Sequence, residues 1–399
     1  MADLSAVFVD RIRSVIAGSQ LANEGRAIGL HEPEIDELEK KYVLECLDSN
    51  FVSSVGAFIP QLEQRIQDIT GAKHAIAVSN GTVGLQVALF LAGVEYGDEV
   101  IVPTLSFIAT ANAVSHAGAV PHFIDSEFGT MGMSPAALRT TLQGMKREGN
   151  RLVNPATGRR ISAISPMHTL GHPVKILEIF AIAAEYGVPV VEDAAESLGS
   201  FVTNAAGQQQ HTGTFGLTGM ISFNGNKIVT TGGGGVILTN DDALGKRAKH
   251  LTTTAKLPHK WEFEHDEIAW NYRMPNLNAA LGLAQLDKFD RFLDEKRRLA
   301  LAYGEVFADL EGLKFVFEPD GTASNYWLCA VQLAEPSLAR RDELMQACHD
   351  AGLLVRPMWN LLHTQRMYTS APKGELAAAT ALHASLICLP STPRLAQGL

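Results

Sequence analysis

From His74 onward the chain alternates short apolar runs with amphipathic stretches, and this alternation limits the available folds more than any other feature. The spacing predicts strands over His74–Val78, Glu99–Pro103, Val120–Ile124, Ile161–Pro166 and Val188–Glu192. Between them it predicts helices over Thr82–Gly93, Phe107–Gly118, Pro135–Leu142 and Leu177–Tyr186. Strands that alternate with helices build parallel βαβ units, so an α/β fold is expected, its mostly parallel sheet covered by helices on both faces. Met220–Phe223 and Val236–Thr239 lie too close for a crossover helix and read as a hairpin-like or edge element. Leu277, Leu281, Ala284, Leu286 and Phe289 predict one long helical region from Asn276 to about Asp309. Past Gly312 the pattern becomes strands over Phe315–Phe317, Tyr326–Val331 and Leu353–Arg356 around a helix over Ser337–Ala351. The chain is therefore expected to divide into an N-terminal helical segment (1–29), a large domain (30–289) and a small C-terminal α+β domain (290–399). The polar stretch Thr203–Thr214 is expected to be an exposed loop.

Composition removes several function classes. A net charge of −10 and a pI near 5.7 argue against nucleic-acid or anionic-membrane partners, which favour a basic face. No apolar run approaches the roughly 20 residues of a membrane span. Asp3, Asp10, Arg11 and Arg13 rule out a secretory leader in Met1–Ser19, which reads as a short amphipathic helix. Cys46, Cys329, Cys348 and Cys388 are widely spaced and fit buried, reduced thiols of a cytoplasmic protein.

Two side chains carry the most chemistry. Lys227 lies just past an apolar strand, with the run Gly232–Gly235 close behind it. Asp193 ends another strand, where ligands of open α/β sheets bind. A lysine able to form an imine and a carboxylate able to keep a pyridine nitrogen protonated are what pyridoxal phosphate chemistry requires. Each also has an ordinary explanation, since most lysines are solvated and Asp193 is a good helix cap before Ala194. Ser79-Asn80-Gly81-Thr82 joins a strand to a helix, a geometry that offers free N–H groups to a phosphate or simply starts a capped helix. Phe107 suits either the face of a flat ring or the core. Asn271 and Arg273 suit phosphate binding, an interface or a turn. His31, His168 and His172 lack metal-ligand spacing and receive no catalytic role. The glycine run precedes a strand, so it is not a GxGxxG dinucleotide loop, and no GxxxxGK[ST] sequence is present.

Taken in order, these segments resemble the DegT/StrS sugar aminotransferases of fold-type I pyridoxal phosphate enzymes. The resemblance runs from about Leu30 to Pro390 and rests on Ser79–Thr82, Pro103–Thr110, Glu192–Ala195, Ser222-Phe223 with Lys227, and Asn271–Met274 before Asn278-Ala279-Ala280. It implies that Lys227 bonds the cofactor, Asp193 pairs with its ring nitrogen, Gly81, Thr82 and Ser222 hold its phosphate, and Phe107 stacks on its ring. It further implies a homodimer in which Asn271 reaches the neighbouring subunit's cofactor phosphate. Two positions depart from the family pattern. Glu196 stands where many members have Gln near the cofactor's phenolic oxygen, and Gly233 where many have Glu. A 3-dehydratase branch has His at the lysine position, so Lys227 implies transamination. Segments such as Leu30–Pro33, Phe51–Gly56, Glu192–Gly199 and Thr252–Lys256 look like the 4-aminotransferases of legionaminic-acid and bacillosamine-type pathways. The expected substrates are a nucleotide-linked 4-keto-6-deoxy sugar and an amino donor, L-glutamate by analogy, with Arg273 and Arg356 as candidate diphosphate contacts. Amination at C3 and a catalytically silent regulator on the same fold are the competing alternatives.

Overall fold

The computed structural model describes residues 4–399. Seven strands form the central sheet, in the order 74–78, 235–239, 218–222, 191–193, 161–164, 99–103 and 120–124. Bridges from Ile164 to Val190 and from Met167 to Asp193 join its two halves. Six strands run parallel. Gly235–Thr239 is antiparallel to both its neighbours, His74–Val78 and Thr218–Ser222. The two segments expected to form a hairpin-like or edge element do pair antiparallel with each other, but neither is an edge strand, because His74–Val78 and Val191–Asp193 flank them. All five residues of Gly235–Thr239 are buried, and its backbone is paired on both sides.

The connecting helices supply the two covering layers. Gly81–Leu91 has a mostly buried surface and packs beside Ile108–His116. Pro135–Gln143 and Ile176–Tyr186 pack together over Ile101, Ile124 and Ile164 on the other side. The expected single helix beyond Asn276 is two helices, Asn276–Asp287 and Phe289–Phe307. The chain breaks at Lys288 (φ −100°, ψ 1°), where the Lys288 ammonium gathers Glu34, Asp36 and Glu39. Thr203–Thr214 is only partly an exposed loop. Phe201–Thr203 and Gln209–His211 pair as strands, and the Thr212 hydroxyl is buried against Ser197 and Ser200.

A second, antiparallel sheet orders the C-terminal strands Leu313–Phe315, Ala330–Leu333, Leu386–Cys388 and Arg356–Pro357. The amphipathic N-terminal helix spans Leu4–Ile16, and residues 1–3 lie outside the described residues. Its Phe8, Ile12 and Ile16 share one core with Tyr303, Phe307, Leu344 and Val355. All four cysteines are free and buried. No helix among the described residues is long and apolar enough to cross a membrane.

Two glycines let the sheet approach the loops above it. A Cβ on Gly235 would stand 2.9 Å from the Ile221 carbonyl oxygen and 3.0 Å from the Gly81 backbone. A Cβ on Gly81 would meet Met220 and Ser222 at 3.0 Å. Gly235→Ala is expected to cost about 1–3 kcal/mol through overpacking, seen as a lower urea midpoint at unchanged m-value.

Candidate active site

The carboxyl ends of the parallel strands converge on one edge, and the site is built there. Strand 74–78 leads into Gly81, strand 99–103 into Phe107, strand 191–193 ends at Asp193, and strand 218–222 ends at Ser222. Gly81, Thr82, Phe107, Asp193, Glu196, Ser222 and Lys227 all line one cavity of about 280 Å³.

Its phosphate-sized end is the start of helix Gly81–Leu91. The Asn80 side chain caps this helix by accepting from the Val83 N–H at 3.0 Å. Gly81 and Thr82 are its first two residues, so their N–H groups have no intrahelical acceptor and sit at the positive end of the helix dipole. The Ser222 oxygen accepts from the Asn224 N–H at 3.3 Å, which leaves its own proton to donate. The glycine run takes no part in the lining. Its work is structural: Asn278 donates to the Thr231 and Gly233 carbonyls, and Gly235 makes room for Gly81.

At the opposite end Asp193 is buried, with Thr110 Oγ1 donating to Oδ2 at 2.7 Å and the Ala195 N–H donating to Oδ1 at 3.2 Å. Its neighbour Glu192 points to the other face of the strand. There it accepts from His168 and from the N–H groups of Gly213, Phe215 and Gly216. His168 Nδ1 accepts from the Val174 N–H, so its proton is on Nε2 and faces Glu192. Burial pushes the Asp193 carboxyl up, opposed by the Thr110 and Ala195 hydrogen bonds and by the charges of Lys227 and His168. Among the described residues no ion pair reaches Asp193. A buried carboxylate in that state is matched to a cation that the protein itself does not supply, such as a protonated pyridine nitrogen.

Lys227 stands between these ends. A turn carries it, closed by its own N–H to the Asn224 carbonyl and anchored by buried Phe223. Its Nζ lies 3.1 Å from Glu196 Oε1 and 3.6 Å from the centroid of the Trp327 ring. Glu196 Oε2 accepts the Leu170 N–H at 2.9 Å. Burial pushes the Glu196 carboxyl up to about 7, against the lowering pull of Lys227 and of the Leu170 N–H. Phe107 is 48% exposed, lines the cavity and meets Trp359 edge to face. Phosphate donors, an aromatic ring, a buried acceptor carboxylate and an amine thus line one cavity and fit pyridoxal 5′-phosphate.

Three expected residues are elsewhere. Asn271 and Arg273 are hydrogen-bonded to each other outside the cavity. Arg356 lines an adjoining cavity of about 350 Å³ that shares Asn226, Trp327 and Trp359 with the first. Sequence patterns missed Thr110, Asn226, Trp327 and Trp359. Thr110 was within reach, one turn beyond Phe107, whereas the two tryptophans carry no local signature.

Fold and site together define a pyridoxal phosphate-dependent enzyme of fold-type I. The chain belongs to the DegT/DnrJ/EryC1/StrS aminotransferase family, whose profile matches residues 33–398. It is accordingly a pyridoxal phosphate-dependent sugar aminotransferase. It is 37% identical to EpsN of Bacillus subtilis (strain 168), named for pyridoxal phosphate-dependent amino transfer, over 87% of this chain and 85% of that one. It is 36% identical to the GDP-perosamine synthase of Escherichia coli O157:H7, over 86% of this chain and 87% of that one. The aminotransferase TlmJ from Streptoalloteichus hindustanus superposes with a TM-score of 0.81 at 27% identity, covering 92% of this chain and 93% of its own.

Glu196 makes stability depend on pH. Its folded value near 7 exceeds the ordinary 4.5, so between those values the unfolded chain releases the proton and the folded chain keeps it. Stability is then lost as pH rises through that window. Glu196→Gln in cofactor-free protein is expected to remove this loss, a relative gain on the order of 3 kcal/mol between pH 4.5 and 7. Denaturant titration at both pH values measures it.

Proposed function

We propose that the protein transfers an amino group from L-glutamate to C4 of a nucleotide-linked 4-keto-6-deoxy sugar, of the UDP-2-acetamido-2,6-dideoxy-4-keto-hexose type. The product would serve surface-glycan or nonulosonic-acid synthesis in the cytoplasm. The observation that carries the amino-transfer chemistry is the single cavity joining the Lys227 amine, the Asp193 carboxylate and the start of helix Gly81–Leu91. The choice of C4 leans on the Escherichia coli relative, whose name gives a 4-amino sugar product.

When bound, pyridoxal 5′-phosphate supplies a carbonyl carbon that accepts an amino group and a ring that withdraws electrons from the adjoining bond. Gly81, Thr82 and Ser222 would hold its phosphate, and Phe107 would cover its ring. Asp193, oriented by Thr110 and Ala195, would keep a proton on the ring nitrogen by offering a negative charge in a buried setting. Lys227 would hold it covalently, and its freed amine would take a proton from the donor's α-carbon in one half-reaction and deliver one to the sugar's C4 in the other. Buried Glu196 keeps that amine aimed into the cavity. Arg356, which lines the adjoining cavity, would meet the diphosphate, whose binding energy would help position the reacting ketone.

The functional unit is a homodimer in which Asn271 completes the neighbouring site. Asn271 lies outside its own cavity, and the segment that precedes it in the chain exposes Trp261, Phe263 and Ile268, which a second subunit would cover.

Lys227→Ala is expected to lose at least about 10³-fold in turnover, because it removes both the covalent link and the proton carrier. The visible absorbance of lysine-linked cofactor should vanish while the dimer survives gel filtration. The substrate is tested by offering UDP-, GDP- and dTDP-linked 4-keto-6-deoxy sugars with glutamate, with product mass and NMR regiochemistry as the readout. An amine at C3 would overturn the C4 assignment.

A further inference from the structure

Trp327 lies 100 residues from Lys227 in sequence and belongs to the segment that enters the C-terminal sheet. It is 4% exposed, yet it borders both cavities. Its indole ring lies under the Lys227 nitrogen at 3.6 Å from the centroid. Its Nε1–H donates to the carbonyl of Asn226, the residue before Lys227, at 2.7 Å. One side chain therefore holds both the amine and the backbone that carries it.

The backbone of the tryptophan is itself held on two sides. Its N–H donates to Asn325 Oδ1 at 2.8 Å, and its carbonyl accepts from the buried Lys296 ammonium at 3.1 Å. The Asn325 amide turns the other way and donates to the Glu196 and Leu198 carbonyls at 2.8 and 2.9 Å. Between them Tyr326 adopts a left-handed backbone, φ +46°, which a non-glycine residue keeps only when its surroundings over-determine it. Asn325–Trp327 thus grips both partners of the Lys227–Glu196 pair from outside the sheet that presents them.

We propose that Trp327 is a positioning residue for Lys227: its ring face holds the amine toward the cavity, and its N–H fixes the turn beneath it. The proposal rests on Lys227 being the cofactor-linking residue. An aromatic face attracts a cation and leaves a neutral amine largely alone, and the attraction grows where water is excluded. Trp327 therefore attracts the Lys227 ammonium from one side, adding to Glu196, with which Lys227 is in contact. The other charged or titratable groups that act on this nitrogen are Asp193 and His31. All three remain when Trp327 is replaced.

The test uses the full chain freed of cofactor, with pyridoxal 5′-phosphate added between pH 5.5 and 9.5. The growth of visible absorbance reports capture, which requires the neutral amine. Trp327→Leu should move the midpoint of the pH–rate profile downward by about one unit, because the ammonium loses its π-face. Trp327→Phe keeps a face and should stay near the parent midpoint while releasing cofactor faster, since the Asn226 carbonyl loses its donor. If Trp327→Leu is unfolded by far-UV circular dichroism, Trp327→Met makes the same comparison. An unchanged midpoint in a folded Leu or Met variant overturns the proposal, because a merely structural tryptophan would weaken binding without moving the profile. Lys227→Ala separates the two layers of the argument. No capture in that variant leaves the lysine assignment standing whatever Trp327 does, and normal capture overturns both.

Discussion

The site depends on where the Lys227 amine is held, and the rest of it follows from the contacts that hold it there. An ammonium drawn out of bulk water needs a counter-charge and directed contacts. Lys227 has Glu196 at 3.1 Å on one side and the Trp327 ring on the other. Glu196 depends in turn on the Leu170 N–H and on Asn325, which binds its backbone carbonyl. These contacts come from three stretches of chain besides the turn that carries Lys227, so the amine is well placed only when both sheets are in place.

The central sheet brings the other groups to the same edge. Parallel strands deliver their carboxyl ends on one side, which is why Gly81, Phe107, Asp193 and Ser222 meet despite their separation in sequence. The antiparallel strand Gly235–Thr239 runs the other way, so its first residue, not its last, lies at that edge. It pairs there with both Val78 and Ser222. Glycine at 235 is what allows the Gly81 turn to rest on it.

Much of this was legible in the sequence, and the failures have physical reasons. Strands buried on both faces read as continuous apolar runs, so five of the seven were read as parallel sheet strands and the other two as a hairpin-like or edge element. Asp193 and Gly81 were recognisable because their chemistry depends on local position, at a strand end and at a helix start. The interior placement of Gly235–Thr239 was not, because its pairing with His74–Val78 spans more than 150 residues and leaves no local trace. The break at Lys288 has neither Pro nor Gly to mark it, and the acidic residues gathered there come from Glu34–Glu39. His211 and Thr212 look like loop residues by composition, but buried hydrogen bonds hold them. Trp327 resembles any core aromatic until its distance to Lys227 is known.

The central claim is that Lys227 is the residue that bonds the cofactor. Borohydride reduction of the purified holoenzyme, followed by peptide mass mapping, tests it most directly. The account predicts a pyridoxyl group on the peptide containing Lys227 and on no other. A pyridoxyl group on a different lysine, or an unmodified Lys227 peptide from fully reduced holoenzyme, would contradict it.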